Sequence, residues 1–306
     1  MRYNCIALIG PTASGKTKLA CKLAYYLNGE IISADSRQVY KHLTIGTGKD
    51  LESYTVNNKK INYYLIDIIE PQQQFYLHDC IRELKKAFDT ITDHEKFPII
   101  CGGSGLYIDA LRKDFSLTQI KENENLRLEL VKLSKVELQQ KLISYSNINL
   151  SHTDVNSTKR LIRAIEIAEA MKSSETNFTK TELPYKPYYI GISVNNEERK
   201  NLINKRLHFR LENGLIEETE WLLNNGINHE RLQFLGLEYK FLSYYLQHKI
   251  SKEELHTKLS TAIYQFSKRQ MTWFRKMEKE GVKINWIDKS ESIEKLSEEL
   301  KLMFNS

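Results

Sequence analysis

The passage from Cys5 to Leu27 constrains this chain more than any other. An apolar run, Cys5-Ile6-Ala7-Leu8-Ile9, stops abruptly at Gly10-Pro11-Thr12-Ala13-Ser14-Gly15-Lys16-Thr17, and an amphipathic run follows. This is the pattern G-x-x-x-x-G-K-[ST] with a buried strand before it and a helix after it, the context that makes it a phosphate-binding loop. Gly10 and Gly15 permit backbone geometry that a side chain would block, so successive N–H groups can converge on an anion. A helix starting at Lys16 adds the positive end of its dipole. Lys16 is expected at the terminal phosphates, and the Thr17 hydroxyl on a Mg2+ ion bridging their oxygens. The motif leaves open which phosphate-bearing molecule sits there.

A strand running into a phosphate loop and a helix predicts an α/β fold, a P-loop NTPase-like parallel sheet core. At 306 residues the chain can bury a large core, as one large domain with an insertion or as two domains. Glu30–Ala34 reads as a second strand ending at Asp35-Ser36-Arg37-Gln38-Val39-Tyr40. Ligands of open parallel sheets bind outside the carboxyl ends of strands, which makes Asp35 a candidate site carboxylate, although Asp-Ser before a helical turn is also a common cap. Ile45-Gly46-Thr47-Gly48-Lys49 follows as a flexible loop with a cation in reach of the same region. Ile61–Ile69 is a third strand candidate, whose Asp67 would hold the water around the magnesium or cap the next turn. Leu77–Thr92 has helical periodicity. Phe97–Cys101 is a fourth strand, running into Gly102-Gly103-Ser104-Gly105, glycines that suit either a close ligand or tight helix–sheet packing.

The character changes near Ser116. Charged helical stretches, 121–144 and 154–171, precede a Ser/Thr/Lys/Pro-rich linker, so 116–187 reads as an inserted helical module between the first part of the core, 1–115, and its continuation with a helical C-terminal region, 188–306. Lys159, Arg160 and Arg163 share one helix face, which is either an RNA contact or a solvated surface. Tyr188–Val194 resumes the sheet. Asn196–Asn225 is helical, with Arg206 and Arg210 one turn apart, able to clamp an anion or to pair with Glu198 and Glu212. Helices are expected over Glu230–Gln247 and Lys252–Lys279. In the second, Lys268, Arg269, Arg275 and Lys276 alternate with Tyr264, Phe266, Trp273 and Phe274. That interleaving suits an RNA backbone with unstacked bases, and equally a helix that packs its rings and solvates its cations. Lys283–Asp288 is a last strand candidate and Lys289–Phe304 a terminal helix.

Composition bounds the remainder. A net charge of +6 only mildly favours a nucleic-acid partner. Cys5, Cys21, Cys80 and Cys101 lack zinc-ligand spacing. No apolar run approaches the ~18 residues that span a bilayer. A cytoplasmic chain without membrane contact is therefore expected, and a monomer, since no self-complementary apolar stripe stands out.

Taken together, GPTASGKT (10–17), DSRQVYK (35–41), IGTGKD (45–50), LID (65–67), GGSGLY (102–107), KRLIRAIEI (159–167) and KRQMTWFR (268–275) resemble the tRNA dimethylallyltransferases, also called tRNA isopentenyltransferases, in the family's order and over most of the chain. The resemblance implies Mg2+-dependent transfer of a dimethylallyl group from dimethylallyl diphosphate to N6 of the adenosine 3′ of the anticodon, the partner being a tRNA anticodon stem-loop. It implies that Asp35 is the general base, that Lys16, Arg206 or Arg210 and the loop 10–17 hold the leaving diphosphate, and that Ser104 stands at the reacting centre. It further implies tRNA contacts from Asp35, Ser36, Arg37, Gln38, Ser104, Lys159, Arg160, Arg163, Lys268, Arg269 and Arg275. The chain departs from the family at Ser104, usually threonine, at Gly48 and Asp50, often Ala and Pro in bacterial members, at Tyr264, usually arginine, and in the irregular segment 152–157. Three rival readings share the loop: a small-metabolite kinase, which lacks here a convincing arginine-rich lid; a prenyltransferase acting on free adenine nucleotides, against which the long basic C-terminal region argues; and a nucleotide-gated RNA switch, which leaves Asp35 unexplained.

Overall fold

The computed structural model describes residues 3–145, 154–173, 183–288 and 292–305. The expectations for the linker after Lys172, for the start of segment 152–157 and for 289–291 therefore lie wholly or partly outside the described residues. The strands are β1 (Cys5–Ile9), β2 (Gly29–Ser33), β3 (Thr55–Val56), β4 (Lys59–Lys60), β5 (Tyr63–Tyr64), β6 (Phe97–Gly102), β7 (Pro187–Ile192) and β8 (Ile284–Ile287). Six of them form one sheet in the order β5-β2-β6-β1-β7-β8, with every pair parallel. β3 and β4 form a separate antiparallel hairpin.

The helices are α1 (Lys16–Tyr26), α2 (Leu77–Asp93), α3 (Gly105–Asp109), α4 (Glu124–Leu130), α5 (Lys135–Ile143), α6 (Thr158–Ser173), α7 (Asn196–Glu212), α8 (Leu215–Asn224), α9 (His229–Leu235), α10 (Leu237–Leu246), α11 (Lys252–Lys279) and α12 (Ile293–Asn305). Both faces of the sheet are covered, as an all-parallel sheet requires. Alternation along β1 decides which residue meets which layer. Ile6 and Leu8 pack with Ala20, Cys21 and Leu23 of α1 and with Leu296 and Leu300 of α12. Cys5, Ala7 and Ile9 pack on the other face, with Leu84 and Phe88 of α2 and Phe274 and Met277 of α11. A third apolar cluster joins α7, α8, α10 and α11 through Ile203, Leu207, Leu242 and Leu259.

Residues Asp114–Glu182 form a compact unit of their own, and Met1–Lys113 with Leu183–Ser306 form the other. The smaller unit packs α4, α5 and α6 around Leu130, Leu138, Leu161 and Ile165. Its one long helical stretch expected over 121–144 is two helices. Ser134 ends the break by capping α5, with Glu137 completing a capping box.

Two other expectations need correction for similar reasons. The helix expected over Asn196–Asn225 breaks at Gly214, whose φ is 95°, and the one over Glu230–Gln247 breaks at Gly236. The third strand shrinks to Tyr63–Tyr64, because Leu65 and Asp67 both adopt positive φ and fold the chain away from β2 until Ile69 bridges Tyr40. By contrast α11 runs over all of Lys252–Lys279, started by the capping box of Ser251 and Glu254.

Candidate active site

The strand order places the carboxyl ends of β2, β6 and β1 side by side. Asp35, the glycine turn after β6 and the loop 10–17 thus reach one cavity of about 130 Å3, whose wall includes Ser14, Lys16, Thr17, Asp35, Arg206 and Gln270. Gly15 caps α1 in the left-handed conformation and no side chain caps that helix. Its first-turn N–H groups have the arrangement that suits an anion.

Inside the loop, the Lys16 ammonium donates to the Pro11 carbonyl at 2.7 Å. Burial lowers Lys16 to about 8, helped by the charge of Arg206 and opposed by Asp35 and Asp50. Burial likewise lowers Arg206 to about 10, with Arg210 adding to the effect. Arg206 donates to the Thr12 hydroxyl at 2.5 Å. The Ser14 hydroxyl is buried with no partner among the described residues. Two half-buried cations and an orphaned hydroxyl around one cavity form an arrangement that an anion would satisfy.

Asp35 closes a turn, not a helix, and still faces the cavity. Its Oδ1 accepts the Arg37 N–H at 2.9 Å. The next amide, Ser36 N–H, donates to the Ser104 hydroxyl at 3.1 Å, which ties the turn after β2 to the turn after β6. Arg37 is exposed and its guanidinium donates to the Phe234 carbonyl at 2.6 Å. Gln38 is buried and both ends of its amide are occupied: Oε1 accepts from Ser33 at 2.7 Å and Nε2 donates to the Gly48 carbonyl at 2.9 Å.

The loop 45–49, expected to be flexible with a cation in reach of the site, holds its cation elsewhere. Lys49 is fully buried, and its ammonium donates to the Tyr40 carbonyl at 2.8 Å and to Asp67 at 2.5 Å. Burial lowers its pKa, with the Asp67 carboxylate opposing. Asp67 is therefore the partner of Lys49 and does not line the cavity. Arg210 also lies outside the lining. It is buried; its Nη2 makes no hydrogen bond among the described residues and forms an ion pair with Asp50 at 3.7 Å. A Cβ on Gly48 would stand 1.9 Å from that Nη2, so the glycine is what lets Arg210 lie against the loop.

The cations and rings of α11 divide by face. Phe274 is core, and Trp273 donates to Asp109 at 3.0 Å. Tyr264 lies under Lys268 and Arg199, at 4.8 and 5.5 Å from its centroid. Phe266 is 37% exposed and borders the cavity. Lys268, Arg269 and Arg275 are exposed. Gln270, which sequence reasoning misses, accepts the Thr12 N–H at 2.8 Å and donates to the Gly103 carbonyl at 3.0 Å. A signal for it exists: the buried stripe Leu255, Leu259, Ile263, Ser267, Gln270, Phe274, Met277 turns polar at two positions.

In the smaller unit Lys159 and Arg160 are exposed, and Arg160 pairs with Asp154 at 2.8 Å. Arg163 is half-buried and committed to the Ile120 carbonyl at 2.6 Å and to Glu166 at 3.3 Å. The shared basic face expected for the three thus holds two outward cations and one structural arginine. Burial works against the Glu166 charge, but the fork of Arg127 at 2.7 and 2.8 Å holds its carboxyl below the usual range.

Comparison with known proteins decides the family. A family model described as IPP transferase matches residues 38–277. The chain belongs to the IPP transferase family. It is 45% identical over 289 residues to a tRNA dimethylallyltransferase 2 of Bacteroides fragilis, with 94% of each chain covered. It is 44% identical over 292 residues to a tRNA dimethylallyltransferase 2 of Treponema denticola, covering 94% of this chain and 96% of the relative. The crystal structure of the full-length tRNA isopentenylpyrophosphate transferase of Bacillus halodurans superposes with a TM-score of 0.69 at 30% identity, over 99% of this chain and 96% of that one. A eukaryotic dimethylallyltransferase captured acting on tRNA shares the fold at a TM-score of 0.74 and 21% identity, over 93% of this chain and 73% of that one. In this chain Gly48 and Asp50 both border Arg210, and Tyr264 is a ring that two neighbouring cations cover. Among the described residues no helix is long and apolar enough to cross a membrane.

Proposed function

We propose that this chain transfers the dimethylallyl group of dimethylallyl diphosphate to N6 of the adenosine 3′ of the anticodon in tRNA, releasing diphosphate. The observation that carries the reading is Asp35, a carboxylate in the same cavity as the phosphate loop. A nucleotide-gated switch leaves that carboxylate unexplained, a small-metabolite kinase would want an arginine-rich lid that the sequence does not offer, and the relatives named for this transfer support the choice. The adenine N6 lone pair is delocalised into the ring and becomes nucleophilic only as its proton leaves. Asp35 is the group to take it. Its Oδ1 already accepts from Arg37, so Oδ2 is the oxygen for N6. The N6–C1 bond forms, the C1–O bond breaks, and the charge collects on the diphosphate, where the loop amides, Lys16 and Arg206 stabilise it. Arg206, which lines the cavity, is the direct diphosphate contact, and Arg210 acts through the loop beside it.

The residues fit Mg2+: the Thr17 hydroxyl borders the cavity together with the Asp50 carboxylate, both hard oxygen donors. When bound, the ion would neutralise part of the charge on the leaving diphosphate. The exposed cations Lys268, Arg269, Arg275, Lys159 and Arg160 would meet the tRNA backbone. Arg37 and Ser36, beside Asp35, are the groups for the target nucleotide, whose extrusion from the loop costs a few kcal/mol. Gln38 supports them from behind, and Ser104 holds the turn. The enzyme would act in the cytoplasm as a monomer.

The test is Asp35→Asn in single-turnover transfer from labelled dimethylallyl diphosphate to total tRNA. We expect a loss of at least about 10²-fold in rate with tRNA binding within about threefold of wild type. Near-normal transfer by the variant refutes the base, and ATP consumption without labelled RNA by the wild type refutes the function.

A further inference from the structure

We infer that Glu218 is a positioning residue for this reaction, holding the loop 44–50 that forms one wall of the site. The inference rests on the function proposed above. Glu218 lies in the first turns of α8, 172 to 174 residues along the chain from the amides it holds, and no sequence motif includes it. Its carboxylate is saturated by four donors. Oε2 accepts the Thr44 and Ile45 N–H groups at 2.8 and 2.7 Å, and Oε1 accepts the Gly46 N–H at 3.0 Å and the Tyr239 hydroxyl at 2.7 Å. Three successive backbone N–H groups around one anion form a nest, a concavity normally offered to a ligand. Here a carboxylate of the protein fills it.

What the nest holds explains its importance. Directly after Gly46, Thr47, Gly48 and Asp50 border the cavity opposite Asp35. The Gly48 carbonyl fixes Gln38 behind the Asp35 turn, and Lys49 fixes the segment from below through Asp67. Gly48 also seats Arg210. Tyr239 completes the grip by shape as well as by hydrogen bond: a Cβ on Gly46 would lie 2.5 Å from its ring. Tyr239 is wholly buried, and burial, with the Glu218 charge next, pushes its phenol well up, so it remains a donor throughout the neutral range. Glu218 touches no substrate in this arrangement. It acts by fixing two walls whose displacement by about 1 Å would cost on the order of 10²-fold in rate.

The test is Glu218→Gln, which keeps the shape and puts an amide NH2 against N–H donors. The expected result has three parts: amide exchange at Thr44, Ile45 and Gly46 speeds up at least about tenfold; single-turnover transfer falls about 30- to 100-fold; and the dissociation constants for tRNA and for inorganic pyrophosphate with MgCl2 stay within about threefold. Gly46→Ala dislodges the same loop without touching the carboxylate and should reproduce the pattern. Tyr239→Phe removes one donor of four and should cost no more than about fivefold. Should Glu218→Gln fail to fold, these two variants decide the matter. Transfer within about threefold of wild type while the three amides have lost protection overturns the inference, and so does a rate loss accounted for entirely by weaker binding. If the wild type labels no tRNA, the proposed function falls, and amide exchange still reports whether Glu218 holds the loop.

Discussion

Lys16 gives the sharpest test of the phosphate site, because its charge is conditional. Burial lowers its ammonium to about 8, so a diphosphate arriving at pH 7 meets a cation and one arriving at pH 9.5 mostly meets a neutral amine. The sign follows from linkage. The bound diphosphate anion favours the charged form, so binding lifts the Lys16 pKa and takes up a proton wherever the empty site has lost one. At pH 9.5 a group of pKa 8 is only about 3% protonated, so affinity should weaken by up to about 30-fold between pH 7 and 9.5. Arg206, lowered only to about 10, stays charged through this window and sets a floor. The ligand should be dimethylallyl diphosphate with MgCl2, since its last ionisation is complete below this range and adds no slope of its own. Isothermal titration in two buffers of different ionisation enthalpy reads the proton directly: no net uptake at pH 6.5, and close to one proton per diphosphate near pH 9. Lys16→Met should bind weakly at every pH and abolish the slope. A wild type with flat affinity and no proton uptake would refute the account, placing the Lys16 titration outside this window or its ammonium away from the diphosphate.

Two further outcomes are expected from the same geometry. Gln270→Ala strands the Thr12 N–H and the Gly103 carbonyl, so urea unfolding should lose about 2 kcal/mol, the cost of two buried groups left unpaired, and pyrophosphate affinity should fall with it; unchanged stability would mean that the bridge is idle. Arg206→Ala should weaken pyrophosphate about 10²-fold, as loss of a buried charge-assisted contact does, whereas Arg210→Ala should leave affinity within about tenfold and resemble Gly48→Ala, which drives a Cβ into the same guanidinium; equal effects of the two arginines on affinity would contradict their separation.

How far the sequence could be read depended on where each residue's partners lie. Strand ends, the loop 10–17 and the bounds of α11 are set by neighbours in the chain. Alternation marks β1, and Ser251 with Glu254 marks the start of α11, so these are legible. INYYLIDII has the aromatic and β-branched content of a strand, yet Asp67 is drawn off by the ammonium of Lys49, and that distant pair overrides local propensity. The same ion pair, buried on its lysine side only, keeps Lys49 and Asp67 out of the cavity lining. Arg163 carries the right chemistry for RNA, and only three-dimensional contacts reveal that Ile120 and Glu166 already hold it; Gln38 borders the cavity with its amide held by Ser33 and Gly48. Glu218 and Gln270 escape notice because their partners lie 172 and 258 residues away, and no spacing rule links such positions.

These long-range contacts also answer why a phosphate loop of common form would serve an uncommon substrate. Thr12 is where two remote helices meet the loop: its N–H is held by Gln270 of α11 and its hydroxyl by Arg206 of α7. Gln270 sits on the buried stripe of α11, while Arg269 and Lys268, one and two positions before it, are exposed. A contact made by those cations therefore bears on the same turn of helix that grips the loop. The second hand of Gln270 reaches the Gly103 carbonyl, one residue before Ser104, whose hydroxyl steadies the turn of Asp35. A single side chain thus couples the loop 10–17, the turn of Asp35 and the outward cationic face of α11. The geometry of that loop is completed from the far end of the chain, by the helix that would lie against the RNA, so the site is well formed for transfer only when acceptor and donor sides are built together.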